Sequence, residues 1–449
     1  MKRRSFIKKS ILAGTGFITL PTLVPSGVFG KNAPSNHIHV GAIGTGRISR
    51  IHDMPGVMNS ENARIIAVCD VDSKRLEEAK QLVETAYAEK NIRQSPLTYG
   101  DYLELLENKD IDAVLISTPD HWHAKPVMDA ARRGKHIYVQ KPFSYTLAEG
   151  RMMSDAVKKT GCVLQIGTQQ RSMEQFRIAC ELVRNGRIGQ LNKIMVGLPI
   201  DPSGKEEPEM PVPPNLNYDM WLGSTPWVYY TENRVHPQID YSRPGWLRCE
   251  PYCLGMITGW GVHHMDIVHW AMNTEYTGPI EVSGTAVFPS GGLWSVHGKY
   301  RVEAKYANHV TVEICDEFPN GIRFEGTGGW IFVTRGNYSA TASDPNVPFN
   351  EQPLQASDPK ILQSAIGPNE IHLTKSEDHH KNWLNSIRSG EPNITPAEVG
   401  HRSTSVCIIS HIAMRLGRKL QWDPEHEIFI NDSEANSMLS RSQRAPYQL

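Results

Sequence analysis

Between residues 38 and 166 the chain keeps two rhythms. Short apolar runs at 38–43, 63–68, 113–117, 136–139 and 163–166 are separated by stretches with helical spacing, such as 74–90 and 124–133. Strands alternating with helices predict a doubly wound parallel sheet of the α/β class, whose ligands bind beyond the carboxyl ends of the strands. After Gln169 the rhythm changes. A helix is expected at 175–185, a strand at 193–198, a Pro-rich surface excursion at 199–217, and strands at 280–288, 302–306, 310–314, 322–326 and 329–334. These predict an open, mainly antiparallel sheet in a second, α+β domain. Helices are expected again at 379–389 and 397–416, and the polar tail 431–449 reads as a strap across the surface. The organisation read from this pattern is a targeting segment over 1–30, a nucleotide-binding domain over 36–166 and a second domain over 167–449.

The most informative break in the pattern follows the first strand, where His39–Ser49 reads HVGAIGTGRIS. Gly44 permits a tight turn, Gly46 lets backbone approach a phosphate, and Thr45 lies between them. A helix opening at Arg47 and Ile48 offers its positive end to a pyrophosphate. The third small position is Ser49, not Gly. The next strand ends at Asp70, at the distance expected for a carboxylate that grips a ribose. A carboxylate there accepts ribose hydroxyls and repels a 2′-phosphate, so NAD is favoured over NADP.

Composition narrows the partners. The 449 residues suffice for two domains, and the formal net charge of −1 with no basic cluster beyond the N-terminus argues against a nucleic-acid surface. The expected partner is a small molecule. Lys2-Arg3-Arg4-Ser5-Phe6 followed by an apolar stretch over 11–29 resembles a twin-arginine export signal, which places the protein in the periplasm or otherwise outside the cytoplasm. Glycine and proline interrupt that stretch, so no stable membrane insertion is expected once it is removed. Seven cysteines without CxxC spacing imply neither a zinc site nor a disulfide framework; Cys249 and Cys253 are either a pair formed after export or two separate thiols.

Three further segments carry chemistry: Thr118-Pro119-Asp120-His121-Trp122-His123, Gln140-Lys141-Pro142, and Gly259-Trp260-Gly261-Val262-His263-His264-Met265-Asp266. With the glycine turn and Asp70, they resemble the Gfo/Idh/MocA oxidoreductases, named for glucose-fructose oxidoreductase, inositol dehydrogenase and rhizopine catabolism proteins. The resemblance implies a Rossmann domain followed by an open-sheet domain, with NAD(H) or NADP(H) used to oxidise or reduce a sugar or polyol carbon. It also implies pairing of open sheets into a homodimer or homotetramer. By the same resemblance, Thr118 and Asp120 lie against the nicotinamide ribose, His123 packs near the cofactor, and Gln140 holds ribose or nicotinamide.

An ammonium at Lys141 is suited to hydrogen-bond the reacting hydroxyl and stabilise its alkoxide. His263 takes the general-base position, and an imidazole titrates near the operating pH. Two departures stand out: the family's Glu-Lys-Pro is Gln140-Lys141-Pro142 here, and Gly259 occupies the place of an Asp. His264 is either a substrate contact or a core histidine. Gln169 and Arg171 either line the cleft or join the domains. Trp227 either stacks on the apolar face of a sugar ring or seals the domain junction, and Arg234 and His236 after it offer donors for substrate hydroxyls. Adjacent histidines on a helix point apart, so no metal site is expected from His263, His264 and His269.

The leading expectation is an exported, NAD-dependent oxidoreductase acting on a sugar or glycoside hydroxyl, with the cofactor tightly held because free NAD is scarce outside the cytoplasm. One alternative is a glycoside hydrolase that oxidises C3 transiently, eliminates the aglycone and returns the hydride. The other is a non-catalytic sugar-binding or regulatory protein.

Overall fold

The first apolar runs become neighbouring strands. The computed structural model describes residues 37–336 and 352–449; the targeting segment over 1–30 lies outside them. Strands β1 (Ile38–Ile43), β2 (Ala63–Cys69), β3 (Leu97–Tyr99), β4 (Ala113–Ile116), β5 (His136–Val139) and β6 (Leu164–Ile166) form a parallel sheet in the order β3-β2-β1-β4-β5-β6. The order reverses between β1 and β4, and a crevice opens beyond their carboxyl ends. Helices α1 (Ser73–Ala88), α2 (Ala124–Arg132) and α3 (Leu147–Thr160) lie in the crossovers. Asp72 caps α1 by accepting from the backbone N–H of Lys74 (3.0 Å) and Arg75 (3.3 Å), and a Thr146/Glu149 capping box starts α3.

Helix α4 (Glu174–Arg184) leads to β7 (Leu191–Gly197), an interior strand of a second sheet. Its other strands are β8 (Glu281–Ala286), β9 (Tyr300–Lys305), β10 (Thr311–Cys315), β11 (Gly321–Gly326), β12 (Gly329–Val333), β13 (Leu354–Ala356), β14 (Leu420–Asp423) and β15 (Ile428–Phe429). The order is β13-β12-β11-β7-β10-β9-β8-β14-β15. All neighbours are antiparallel except β7 and β10, so the sheet is mixed. Alternation along β9 buries Val302 and Ala304 while Arg301 and Glu303 face outward. The outer face carries cross-strand ion pairs such as Lys193–Glu313 (2.6 Å) and Lys305–Glu281 (3.0 Å).

Helix α5 (Gly261–Met272) and, beyond α6 (His379–Ser389), helix α7 (Ala397–Leu416) complete the core. α7 is buried around most of its circumference, and its buried serines bond back to the helix's own carbonyls, Ser405 to His401 O (2.8 Å) and Ser410 to Val406 O (2.7 Å). It packs on β8, on α5 and on α3, and so joins the two halves. Residues just before α7 seal the edge of β6: Thr395 O accepts from Ile166 N (3.1 Å), and Asn393 Nδ2 donates to Leu164 O (2.8 Å).

The Pro-rich stretch 199–217 forms no helix or strand beyond a single bridge between Leu216 and Asp72. All seven cysteines are buried and unpaired, Cys249 and Cys253 included. Among the described residues, no helix is long and apolar enough to cross a membrane.

Candidate active site

The glycine turn sits where the sheet order reverses. Gly44 has φ +79°, and a Cβ there would lie 2.9 Å from the backbone of Ser117 and Thr118 at the end of β4, so no larger residue fits. A Cβ on Gly46 would meet nothing within 4 Å. That space belongs to a cavity of about 540 Å³ that runs from Gly44, Gly46, Arg47, Ile48 and Asp70 to Lys141 and His263. The open flank of Gly46, beside a helix start, fits backbone approach to a pyrophosphate. Thr45 is turned the other way: it is buried, and its backbone N–H (2.7 Å) and hydroxyl (3.0 Å) both donate to Asp70 Oδ2. Asp70 Oδ1 accepts from Asp72 N (2.9 Å). The Asp70 carboxylate therefore fixes the turn to the end of β2 while it lines the cavity, and Thr45 braces the turn instead of facing a ligand.

At the end of β5, Lys141 Nζ donates to Gly259 O (2.8 Å). The position that lacks an acid thus offers a backbone carbonyl to the ammonium. The carboxylate missing from Gln140 stands one hydrogen bond away. Asp53 is fully buried on the short helix after the glycine turn; it accepts from Gln140 Nε2 (2.9 and 3.1 Å) and Ser117 Oγ (2.6 Å), and His380 Nε2 lies 3.1 Å from it. Gln140 Oε1 in turn accepts from Lys141 N (3.3 Å). Sequence reading passed over Asp53 and His380. The available signal was a lone acid inside an apolar helical stretch, but its partners are 87 and 327 residues away.

Electrostatics reverse the expected order of proton affinities. Burial, then Arg335 and Lys141, push the His263 imidazole well below its ordinary value, so it is neutral and a weak base. Asp120 is buried at the same cavity, near Lys141 and in contact with the Cys253 thiol. Burial lifts its carboxyl to about 7 against the opposing pull of Lys141. The group matched to neutral pH is Asp120.

This raised value has a sign that can be measured. Because folded Asp120 binds its proton more tightly than an unfolded Asp, with a pKa of about 3.9, its stabilising contribution is present at low pH and is lost as pH rises through 7. Stability of the cofactor-free protein is expected to fall by about 2 kcal/mol between pH 5 and 7.5 on this account, and Asp120→Asn is expected to remove that part of the fall. Urea unfolding of both proteins at the two pH values checks it; an identical fall in the variant assigns the dependence elsewhere.

Comparison with known proteins places this geometry. Residues 38–168 match the family model described as an oxidoreductase family with an NAD-binding Rossmann fold, and residues 200–334 and 360–449 match its C-terminal alpha/beta domain. The chain belongs to the Gfo/Idh/MocA oxidoreductase family. Its cofactor is accordingly NAD. The chain is 30% identical over 181 residues to myo-inositol 2-dehydrogenase of Thermotoga maritima, covering 40% of this chain and 48% of that protein. It is 28% identical over 207 residues to an alpha-N-acetylgalactosaminidase of Shewanella oneidensis, covering 42% and 44% respectively. The chain thus spans about half the length of the curated relatives it matches. In fold it is similar to the WlbA dehydrogenase of Bordetella pertussis, solved with NADH and UDP-GlcNAcA: TM-score 0.59, 15% identity, 86% of this chain and 99% of that one.

In this family member the sequence-predicted residues divide. Gly44, Gly46, Arg47, Ile48, Asp70, Thr118, Asp120, Gln140, Lys141, Gln169, His236 and His263 line one cavity. Thr45, His123, Arg171, Trp227, Arg234 and His264 do not. His123 is buried behind the wall with its ring nitrogens 2.6 Å from Pro142 O and 3.0 Å from Thr118 O, and burial first of all lowers its pKa to about 4. It braces the two loops that carry Thr118 and Lys141. His264 is a core histidine, 2.8 Å from Asn320 Oδ1 and packed on Trp260. Arg171 is consumed by Asp266 and Glu275 at 2.8 and 2.6 Å. Trp227 is 65% exposed, and Arg234 packs over Tyr229. These placements share a cause: sequence marks a residue as polar or aromatic but does not report what its side chain will pack against.

Proposed function

We propose that this chain is an exported NAD-dependent enzyme that acts on a hydroxyl of a sugar or glycoside. The observation that carries the reading is Lys141. Its ammonium, held by Gly259 O, shares a continuous cavity with the glycine turn at one end and His263 at the other. In the proposed reaction Lys141 hydrogen-bonds the reacting oxygen and stabilises negative charge on it as the C–H bond breaks. Asp120 balances the charge of Lys141 when ionised, and neutral His263 accepts a hydrogen bond from the substrate hydroxyl and would take its proton as the hydride passes to bound NAD. Trp246, partly exposed at the cavity, offers an apolar face to a sugar ring.

A second reading, hydrolysis through transient oxidation of the glycoside, is supported by the similarity to the alpha-N-acetylgalactosaminidase and by the carbonyl in place of a carboxylate at Gly259. The twin-arginine-type segment supports action in the periplasm, and the outward, charge-laddered face of the second sheet is the surface proposed for a homodimer or homotetramer.

The experiment begins with native mass spectrometry of the mature protein and denaturing release of any nucleotide. NAD is expected. A panel of glycosides, assayed for keto-sugar and for free aglycone, then separates oxidation from hydrolysis. A protein that binds neither NAD nor NADP overturns the proposal.

A further inference from the structure

The nucleotide end of the cavity has a wall that does not come from the Rossmann half. Residues 236–247, reached through the Pro-rich excursion, cross back over the carboxyl end of β2. His236, Ser242, Arg243 and Pro244 line the same cavity as Gly46 and Asp70. The crossing is fastened at three places. At its start, His236 Nε2 lies 3.0 Å from Asp72 Oδ2, and hydrogen bonds from His236 and Asn215 outweigh burial and draw that carboxyl down to about 2. At its middle, the Arg75 guanidinium donates to Pro237 O (2.7 Å) and Asp240 O (3.2 Å). At its crown, the Tyr241 ring has the guanidinium of Arg50 at 4.4 Å and that of Arg75 at 4.4 Å, while its hydroxyl donates to Glu78. Arg50 belongs to the helix after the glycine turn and Arg75 to α1. One tyrosine therefore ties both helices that flank the phosphate-binding turn to a segment from the other half of the chain. The far end is anchored as well, by Arg243 on buried Asp201 at 2.6 Å.

We propose that residues 236–247 are a retention strap, which holds the dinucleotide in place through many turnovers and lets it exchange only when the Tyr241 and His236 fastenings come apart. The inference rests on the NAD reading above and deepens it. Arg75 lines the cavity too, with its guanidinium committed to two carbonyls and a ring. A weakened fastening is therefore expected to show in the rate at which the nucleotide leaves, where most differences between related complexes lie.

The test follows exchange directly. The mature full-length protein carrying NAD is mixed with excess ¹⁵N-labelled NAD, and replacement is followed by native mass spectrometry. Exchange is expected on the order of hours, and Tyr241→Ala is expected to accelerate it about a hundredfold with NAD still bound at saturating concentration. His236→Gln, at the other fastening, is a second variant expected to act in the same direction. Wild-type exchange complete within the first minutes overturns the strap whatever the variants do. So does an unchanged rate in folded variants with a lowered melting temperature, which would make the segment a strut between the halves. In both cases NAD still binds and the functional reading stands, whereas absence of any nucleotide binding removes both.

Discussion

Lys141→Ala is expected to lower kcat by at least about a hundredfold while leaving NAD bound. The ammonium is held by a backbone carbonyl, Gly259 O at 2.8 Å, at the end of a strand whose neighbours are fully buried. Its removal takes away the charge that stabilises an alkoxide. It does not touch the glycine turn, which Asp70 fixes separately through Thr45. Loss should therefore appear in kcat much more than in cofactor occupancy. Steady-state kinetics with the substrate identified by the glycoside panel, paired with nucleotide content by absorbance after denaturation, gives both readouts. Unaltered turnover would show that the cavity holds sugar without using Lys141, and would favour a binding or regulatory protein. Loss of NAD together with activity would mean that Lys141 and its loop hold the nucleotide end as well.

The second large effect is on the fold. Arg171→Ala is expected to destabilise the protein by about 3–5 kcal/mol, because it leaves buried carboxylates without their cation. The Arg171 side chain is 1% exposed and that of Asp266 is fully buried. The guanidinium donates through Nε (2.9 Å) and Nη2 (2.8 Å) to Asp266, reaches Glu275 through Nη1 (2.6 Å), and packs over the Trp270 ring at 4.6 Å. Ser403 Oγ on α7 adds a bond to Asp266 Oδ1 (3.2 Å). This cluster pins the turn after β6 to α5, the helix that carries His263. Chemical unfolding with and without NAD measures the loss. A variant with wild-type stability and a raised KM would return Arg171 to the substrate site.

Legibility of the sequence followed the distance between cooperating residues. The parallel sheet was readable because each strand carries its own apolar run and the turn, helix and acid after β1 are contiguous. Helices α6 and α7 occupy the residues that their spacing predicted. β3 was not anticipated: it has three residues, two of them exposed, and so shows no periodicity. Lys141 could be read from its place between a strand and a proline. Its surroundings could not, because Asp53, Ser117, Gln140 and His380 meet from four separate elements. The imidazole at 263 was read at its ordinary proton affinity, whereas burial and two neighbouring cations depress it. Nothing in a linear pattern reports how deep a group will lie.

The position of α7 bears on how the chain is made. The helix at 397–416 covers α3, and residues 393–395 close the open edge of β6, so the nucleotide half is finished by residues synthesised long after its own sequence. A ribosome that has delivered the whole Rossmann sequence has delivered a sheet with one bare edge and one uncovered helix. That intermediate is the stage at which association with other nascent chains competes with folding. A chaperone has its natural point of action there, before α7 docks.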